Sequence, residues 1–185
     1  MKKILIITAA AILSLCSYAQ KHVEFLGMEL AQQTKAGVAK ELLEKGYVKT
    51  GEQDGYEMFK GKFLNMDASV LLVPEGSTGI TAVNVSIKNV NPTKSGKLYG
   101  ELLQKFMEKY SGYKYTLDNS KPNSSVKSMF TNKLDNGLSE AVILDIKIKS
   151  GTTDLDITYI AAIKISDDDT QEKGESVSGI TMDEI

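Results

Sequence analysis

Between residues 34 and 165 an apolar stripe of helical period is followed by three runs of strand period, and the same order then recurs. The runs within each half are joined by turns of a few residues, too short for the crossover helix that parallel strands need. Antiparallel pairing between chain neighbours is therefore expected throughout. In the first half Val38, Ala39, Leu42 and Leu43 recur at helical spacing within 34–45, with Gly46 placed as a left-handed stop. Strand-like runs follow at 56–63, 68–73 and 80–88, after a turn at Asp54-Gly55. They are separated by Asn65-Met66-Asp67 and by the segment from Pro74 to Gly79. In the third run Val83, Val85 and Ile87 share one side and Asn84, Ser86 and Lys88 the other, so one face meets a core and the other water.

Asn91-Pro92 breaks the chain, and Ser95 is the expected cap of a second helix reaching to about Tyr110. Its inward stripe is Leu98, Leu102, Leu103, Phe106 and Met107, with Gly112 near the stop. Runs at 125–131, 138–149 and 154–165 complete the second half, turned at Asp135-Asn136-Gly137 and Ser150-Gly151-Thr152. The expected fold class is α+β: two tandem αβββ units, residues 20–92 and 93–166, with antiparallel sheets and both helices packed on one face.

The ends of the chain read differently. Residues 1–19 combine Lys2 and Lys3, an apolar run of about a dozen residues, and the small residues Ser17 and Ala19, the three parts of an export signal cut between Ala19 and Gln20. The run is shorter than the roughly 20 residues that span a bilayer, so no stable membrane insertion is expected after cleavage, and the location is periplasmic or secreted. The sole cysteine, Cys16, lies inside this segment, and the large Leu15 before it argues against lipid attachment. Without that cysteine the mature chain depends on its core alone. At the other end Asp167, Asp168, Asp169, Glu172, Glu175, Asp183 and Glu184 face a single base, Lys173. Residues 167–185 are expected to be a disordered acidic tail that shields a slightly basic body.

Composition removes several chemistries. All 22 basic residues other than histidine are lysine, so the chain lacks the planar fork of arginine, which argues against nucleic-acid recognition. The one histidine, His22, reads as a solvated residue beside the new N-terminus, and one histidine without cysteine supports neither a zinc site nor a Ser-His-Asp or Cys-His nucleophile. No metal, cofactor or catalytic residue is expected. Asp145, Asp154 and Asp156 could offer paired carboxylates, yet Lys147 and Lys149 should lie beside them on the same face, and a cross-strand salt ladder accounts for all five. The acids at 167–169 lack a calcium-loop pattern.

Aromatic residues mark the candidate partner surface. Tyr110, Tyr113 and Tyr115 crowd the exit of the second helix, and Tyr56 and Met58 open the first meander. Tyrosine and methionine bury much area at interfaces, although the alternation of Tyr113 and Tyr115 also fits packing at the core edge.

The segment Phe25-Leu26-Gly27-Met28-Glu29-Leu30, followed by Leu42-Leu43-Glu44-Lys45-Gly46-Tyr47, resembles the opening of a family of small exported proteins of Gram-negative bacteria. Lys97-Leu98-Tyr99 through Glu108-Lys109-Tyr110 resembles that family's second helix, without its initial Trp and terminal Pro. The resemblance implies a tandem αβββ architecture similar to the beta-lactamase inhibitor protein fold and to PepSY-like domains, whose members bind proteins through an open sheet face or its loops. The expected function is a non-enzymatic, exported protein-binding module whose partner is an envelope or secreted protein. The alternative is a periplasmic carrier holding a small apolar ligand between helices and sheet, which needs a cavity of roughly 300 Å³ or more.

Overall fold

A computed structural model describes residues 22–75, 79–121 and 124–163 of the 185-residue chain. The expected signal with its cleavage pair Ala19 and Gln20, and the acidic segment 167–185, lie outside the described residues. A small hairpin, β1 (Glu24–Phe25) and β2 (Met28–Glu29), leads through a 3₁₀ turn at Leu30–Gln32 into helix α1 (Lys35–Glu44). Four strands follow: β3 (Val48–Gln53), β4 (Tyr56–Phe63), β5 (Met66–Glu75) and β6 (Gly79–Val90). Helix α2 (Pro92–Lys109) precedes four more: β7 (Lys114–Lys121), β8 (Ser125–Lys133), β9 (Ser139–Ile148) and β10 (Thr153–Ile163).

The eight long strands form one antiparallel sheet in the order β3-β4-β5-β6-β10-β9-β8-β7. Each half is a meander, and the two meet last strand to last strand, with Val85 opposite Ile157 and Ser86 opposite Asp156. This corrects the α+β expectation. Among the described residues strands occupy 56% and helices 23%, so the fold is close to all-β, and the two meanders, expected to be joined or stacked side by side, form one continuous sheet. The excess comes from β3 and β7, the two edge strands. Every residue of β7 is exposed and β3 is nearly so, leaving no apolar alternation to betray them. Lysines at Lys49, Lys114 and Lys121 suit such edges, because charge discourages pairing with another chain.

The helices begin where backbone chemistry places them. The Thr34 side chain accepts from the Gly37 N–H at the start of α1, and Gly46, at φ +83°, ends it. Helix α2 starts earlier than Ser95. Asn91 caps it by accepting from the Thr93 and Lys94 N–H groups, and Pro92 occupies the first position, where its missing N–H costs nothing. Ser95 is instead buried, its hydroxyl donating to the Pro92 carbonyl.

Helices, small hairpin and one sheet face share a single apolar cluster. Phe59, Val70, Val85, Ile157 and Leu144 stand opposite one another on successive strands, a continuous row across the seam. Val38 and Leu42 of α1 and Leu102 and Phe106 of α2 cover that face, with Leu98 and Leu103 partly buried beside them. Leu43 and Met107 of the expected stripes stay about half exposed. Phe106 packs edge-on against Phe130 and Tyr159, and Phe25 of β1 adds a ring 5.3 Å from Tyr159.

Candidate functional site

The opposite face of the sheet, which no described element packs against, has two zones. Side chains alternate along a strand, so the partners of the core row leave a second set pointing outward. One outward row runs Met58, Leu71, Asn84, Thr158, Ile143 and Met129 from β4 to β8. The neighbouring row adds Ala82, Ile160 and Ala141, with Val73 opposite Ala82. Met58, Val73, Ile143, Ile160 and Met129 are half-buried although none belongs to the core cluster. Together they make an apolar strip that crosses both meanders.

On the other side of the first row the face turns polar. Lys60, Ser69, Ser86, Asp156, Asp145 and Lys127 stand opposite one another in order. Lys147 Nζ lies 3.0 Å from Asp156 and Lys149 Nζ 2.7 Å from Asp154, the cross-strand ladder expected from the β9–β10 hairpin. Ser86 donates to Asp156, and Ser125 donates to Asp145 at 2.9 Å. Burial pushes the Asp154 carboxyl up, but Lys149, the Asn89 N–H and Lys88 outweigh it and hold the group below the usual carboxylate range. Burial likewise opposes charge on Lys147, and Asp156, with Asp145 and Asp154, reverses the effect and raises it. Asp154 and Asp156 are thus paired with lysines, and Asp145 accepts from Ser125.

Beyond the ladder, the α1–β3 turn and the ends of β4, β5 and β6 enclose an open cleft of about 630 Å³. Lys45, Lys60, Lys62 and Lys88 line it with Ser69 and Ser86, against one acid, Asp67. A smaller depression of about 230 Å³ lies between α2 and the β4–β5 turn, floored by Leu98 and Leu102 and rimmed by Glu101 and Lys105.

The expected partner residues do not share one surface. Tyr56 and Met58 are half-buried on β4, with Met58 in the apolar strip. Tyr115 is 38% exposed but faces the helix side on edge strand β7, its hydroxyl 3.2 Å from Ser128 Oγ. Tyr110 and Tyr113 are buried beneath the end of α2, with ring centroids 5.0 Å apart. Their burial makes them core residues.

His22 is the largest departure from the sequence reading. It is no free solvated residue. Its Nδ1–H donates at 3.0 Å to Glu140 Oε1, a carboxylate with no exposed surface, while the Tyr113 hydroxyl donates at 2.9 Å to Oε2. Burial first, then the negative charge of Glu140, pushes the Tyr113 phenol far above its ordinary value. Glu24 of β1 pairs with Lys109 of α2 at 2.8 Å, a second tie between the N-terminal hairpin and the body. Nothing local in the sequence around residue 140 signals this. Among the described residues, no cluster of three or more His, Cys, Asp or Glu is placed to hold a metal ion, and no helix is long and apolar enough to cross a membrane.

Comparison with known proteins adds little. No family model matches the chain, and no solved structure matches it. A 72-residue stretch, 37% of the chain, is 32% identical to histidine–tRNA ligase of Clostridium botulinum, in the Hall Type A and Okra Type B1 strains alike. The match spans only 17% of that enzyme's length.

Proposed function

We propose that the chain is an exported, non-enzymatic protein-binding module that engages an envelope or secreted protein through the open face of its sheet. The observation that carries this reading is the half-buried apolar strip of Met58, Val73, Ile143, Ile160 and Met129, which lies outside the core cluster and is rimmed by the lysine-aspartate ladder. An apolar centre with a charged rim is the anatomy of a protein interface. The resemblance to exported proteins with protein-binding relatives points the same way. A carrier role draws less support, because the helix–sheet depression of about 230 Å³ falls below the roughly 300 Å³ expected of a ligand pocket.

The test is a quantitative pull-down from native envelope and culture fluid, using the chain from Gln20 onward, its Val73→Glu/Ile143→Glu variant, and Leu43→Glu/Met107→Glu as a control on exposed helix positions. One species recovered stoichiometrically, displaced by untagged protein, lost with the first variant and kept with the control supports the reading. Equal recovery by all three, or recovery of nothing specific, refutes it.

A further inference from the structure

The turn end of the first meander brings lysines and exposed aliphatic side chains together. Lys45, Lys60, Lys62 and Lys88 line the open cleft beside one acid, Asp67, and Val48 on its rim is 64% exposed. Lys60 forms no ion pair among the described residues. Lys45 meets Glu41 at 3.0 Å and Lys62 meets Asp67 at 2.7 Å, pairs open to water that hold their lysines weakly. Lys88 stands 3.5 Å from an Asp154 carboxylate already met by Lys149 at 2.7 Å. The adjoining β4–β5 turn holds Leu64 and Asn65 at φ +52° and +63°, the left-handed pair in which Asn-Gly is favoured. Leu26 has the same φ of +52° but packs against the core cluster, whereas Leu64 lies outside that cluster and is 44% exposed. An exposed leucine kept in a conformation that glycine adopts without strain argues for a role outside the fold.

We propose that this end of the molecule docks peripherally on an anionic lipid surface, with Leu64 and Val48 entering the interface and Lys45, Lys60, Lys62 and Lys88 meeting lipid phosphates. The chemistry separates this partner from others. The cores of protein interfaces are depleted in lysine, and nucleic-acid recognition draws on the arginine fork that this chain lacks. At a lipid boundary the same two residue types cooperate: lysine stems lie along apolar matter while their ammonium groups reach phosphate, and aliphatic tips sink into the acyl boundary. Lys105, at the rim of the depression that Leu64 and Leu98 line, adds a further cation on the helix side of the turn, against Glu101. Lys62, Lys60 and Met58 follow one another on the same side of β4, so the apolar strip begins on the far side of Lys60 from the turn. The docked end and the protein-binding strip are therefore different surfaces, and either assignment can fail while the other holds.

The experiment measures sedimentation of the chain from Gln20 to Ile185 with vesicles of phosphatidylglycerol and phosphatidylcholine in equal parts, and with phosphatidylcholine alone. Binding should be about tenfold or more stronger on the anionic vesicles, and should fall by a similar factor as salt rises from 20 mM to 0.5 M. A lysine near such a surface contributes about fivefold, so Lys60→Gln/Lys62→Gln should weaken binding by about tenfold or more. Lys114→Gln/Lys121→Gln, the same charge change on the opposite edge strand, should leave it within about twofold. Leu64→Gly should weaken binding by about threefold or more while the melting temperature stays level or rises, because glycine suits the left-handed turn. A leucine kept for packing alone would give the reverse, a lower melting temperature with binding intact. That reverse pattern, equal losses in both lysine pairs, or binding that is absent or indifferent to lipid charge would each overturn the docking surface. Displacement of the protein from vesicles by millimolar glycerol phosphate would assign the cleft to a free phosphate ester and overturn it too.

Discussion

Removing the imidazole of His22 tests a contact that joins the first described residue to strand β9. Glu140 has no exposed surface, and its two oxygens are served by His22 and by Tyr113. Deleting one partner of a fully buried ion pair costs about 3–5 kcal/mol, because the remaining charge is stranded. His22 is 34% exposed, so water can partly replace it, and the expected cost of His22→Ala falls to about 1–2 kcal/mol. Glu140→Ala should cost more, about 3–4 kcal/mol, since it leaves the buried Tyr113 hydroxyl without its acceptor and opens a void beside it. Glu140→Gln keeps the shape and one acceptor, so it should cost about 1 kcal/mol and abolish about half or more of the His22→Ala effect in a double-mutant cycle. Urea unfolding at neutral pH, with unchanged denaturant slope, provides the measurement. If His22→Ala and Glu140→Ala both fall within about 0.3 kcal/mol of wild type, the N-terminal tie is absent and the argument is wrong.

Asp154 sets an acid limb. Its folded-state carboxyl is held below the unfolded value, so its stabilisation is present above about pH 4 and is lost as pH falls through the lower native value. Asp154→Asn should flatten that limb in thermal melts from pH 7 to pH 2 and cost about 1–3 kcal/mol at pH 7; an unchanged pH profile would contradict the ladder. Gly61→Ala should destabilise by about 1–3 kcal/mol or more, because an added Cβ would lie 2.4 Å from the Tyr47 ring. Tyr47 is pinned there by its hydroxyl donating to the Lys62 carbonyl, and a melting temperature equal to wild type would show that the ring is free to move. Asn91→Ala should cost about 1 kcal/mol by removing the α2 cap, whereas Ser95→Ala should leave helix onset unchanged in amide-exchange protection.

Legibility followed the range of the interactions. The alternation of Val83, Val85 and Ile87 was readable because β6 is buried on its core side, and the turn at Gly151 set the register that brings Lys147 and Lys149 to Asp156 and Asp154. Strand β7 was not readable, since an edge strand exposed on both sides carries no period. The seam was equally hidden, because pairing Ser86 with Asp156 joins residues 70 positions apart. That one pairing joins the two meanders into one sheet and aligns the apolar strip of one half with that of the other. Glu140 lies in a strand-like run with no local mark of burial, and its partners are His22, 118 positions away, and Tyr113. The turn between β4 and β5 formed at Leu64 and Asn65, both at positive φ, one residue earlier than its Asn-Met-Asp composition indicated.

The central claim concerns which face of the sheet meets another protein, and site-specific photo-crosslinking in the producing cell addresses it directly. A photoreactive residue is placed at Met58, Val73, Ile143 or Ile160 on the open face, or at Leu43, Leu103 or Met107 on the helix side. The account predicts one crosslinked species of constant mass from the open-face positions and none from the helix side. Crosslinks confined to the helix side, or none from either face, would contradict it.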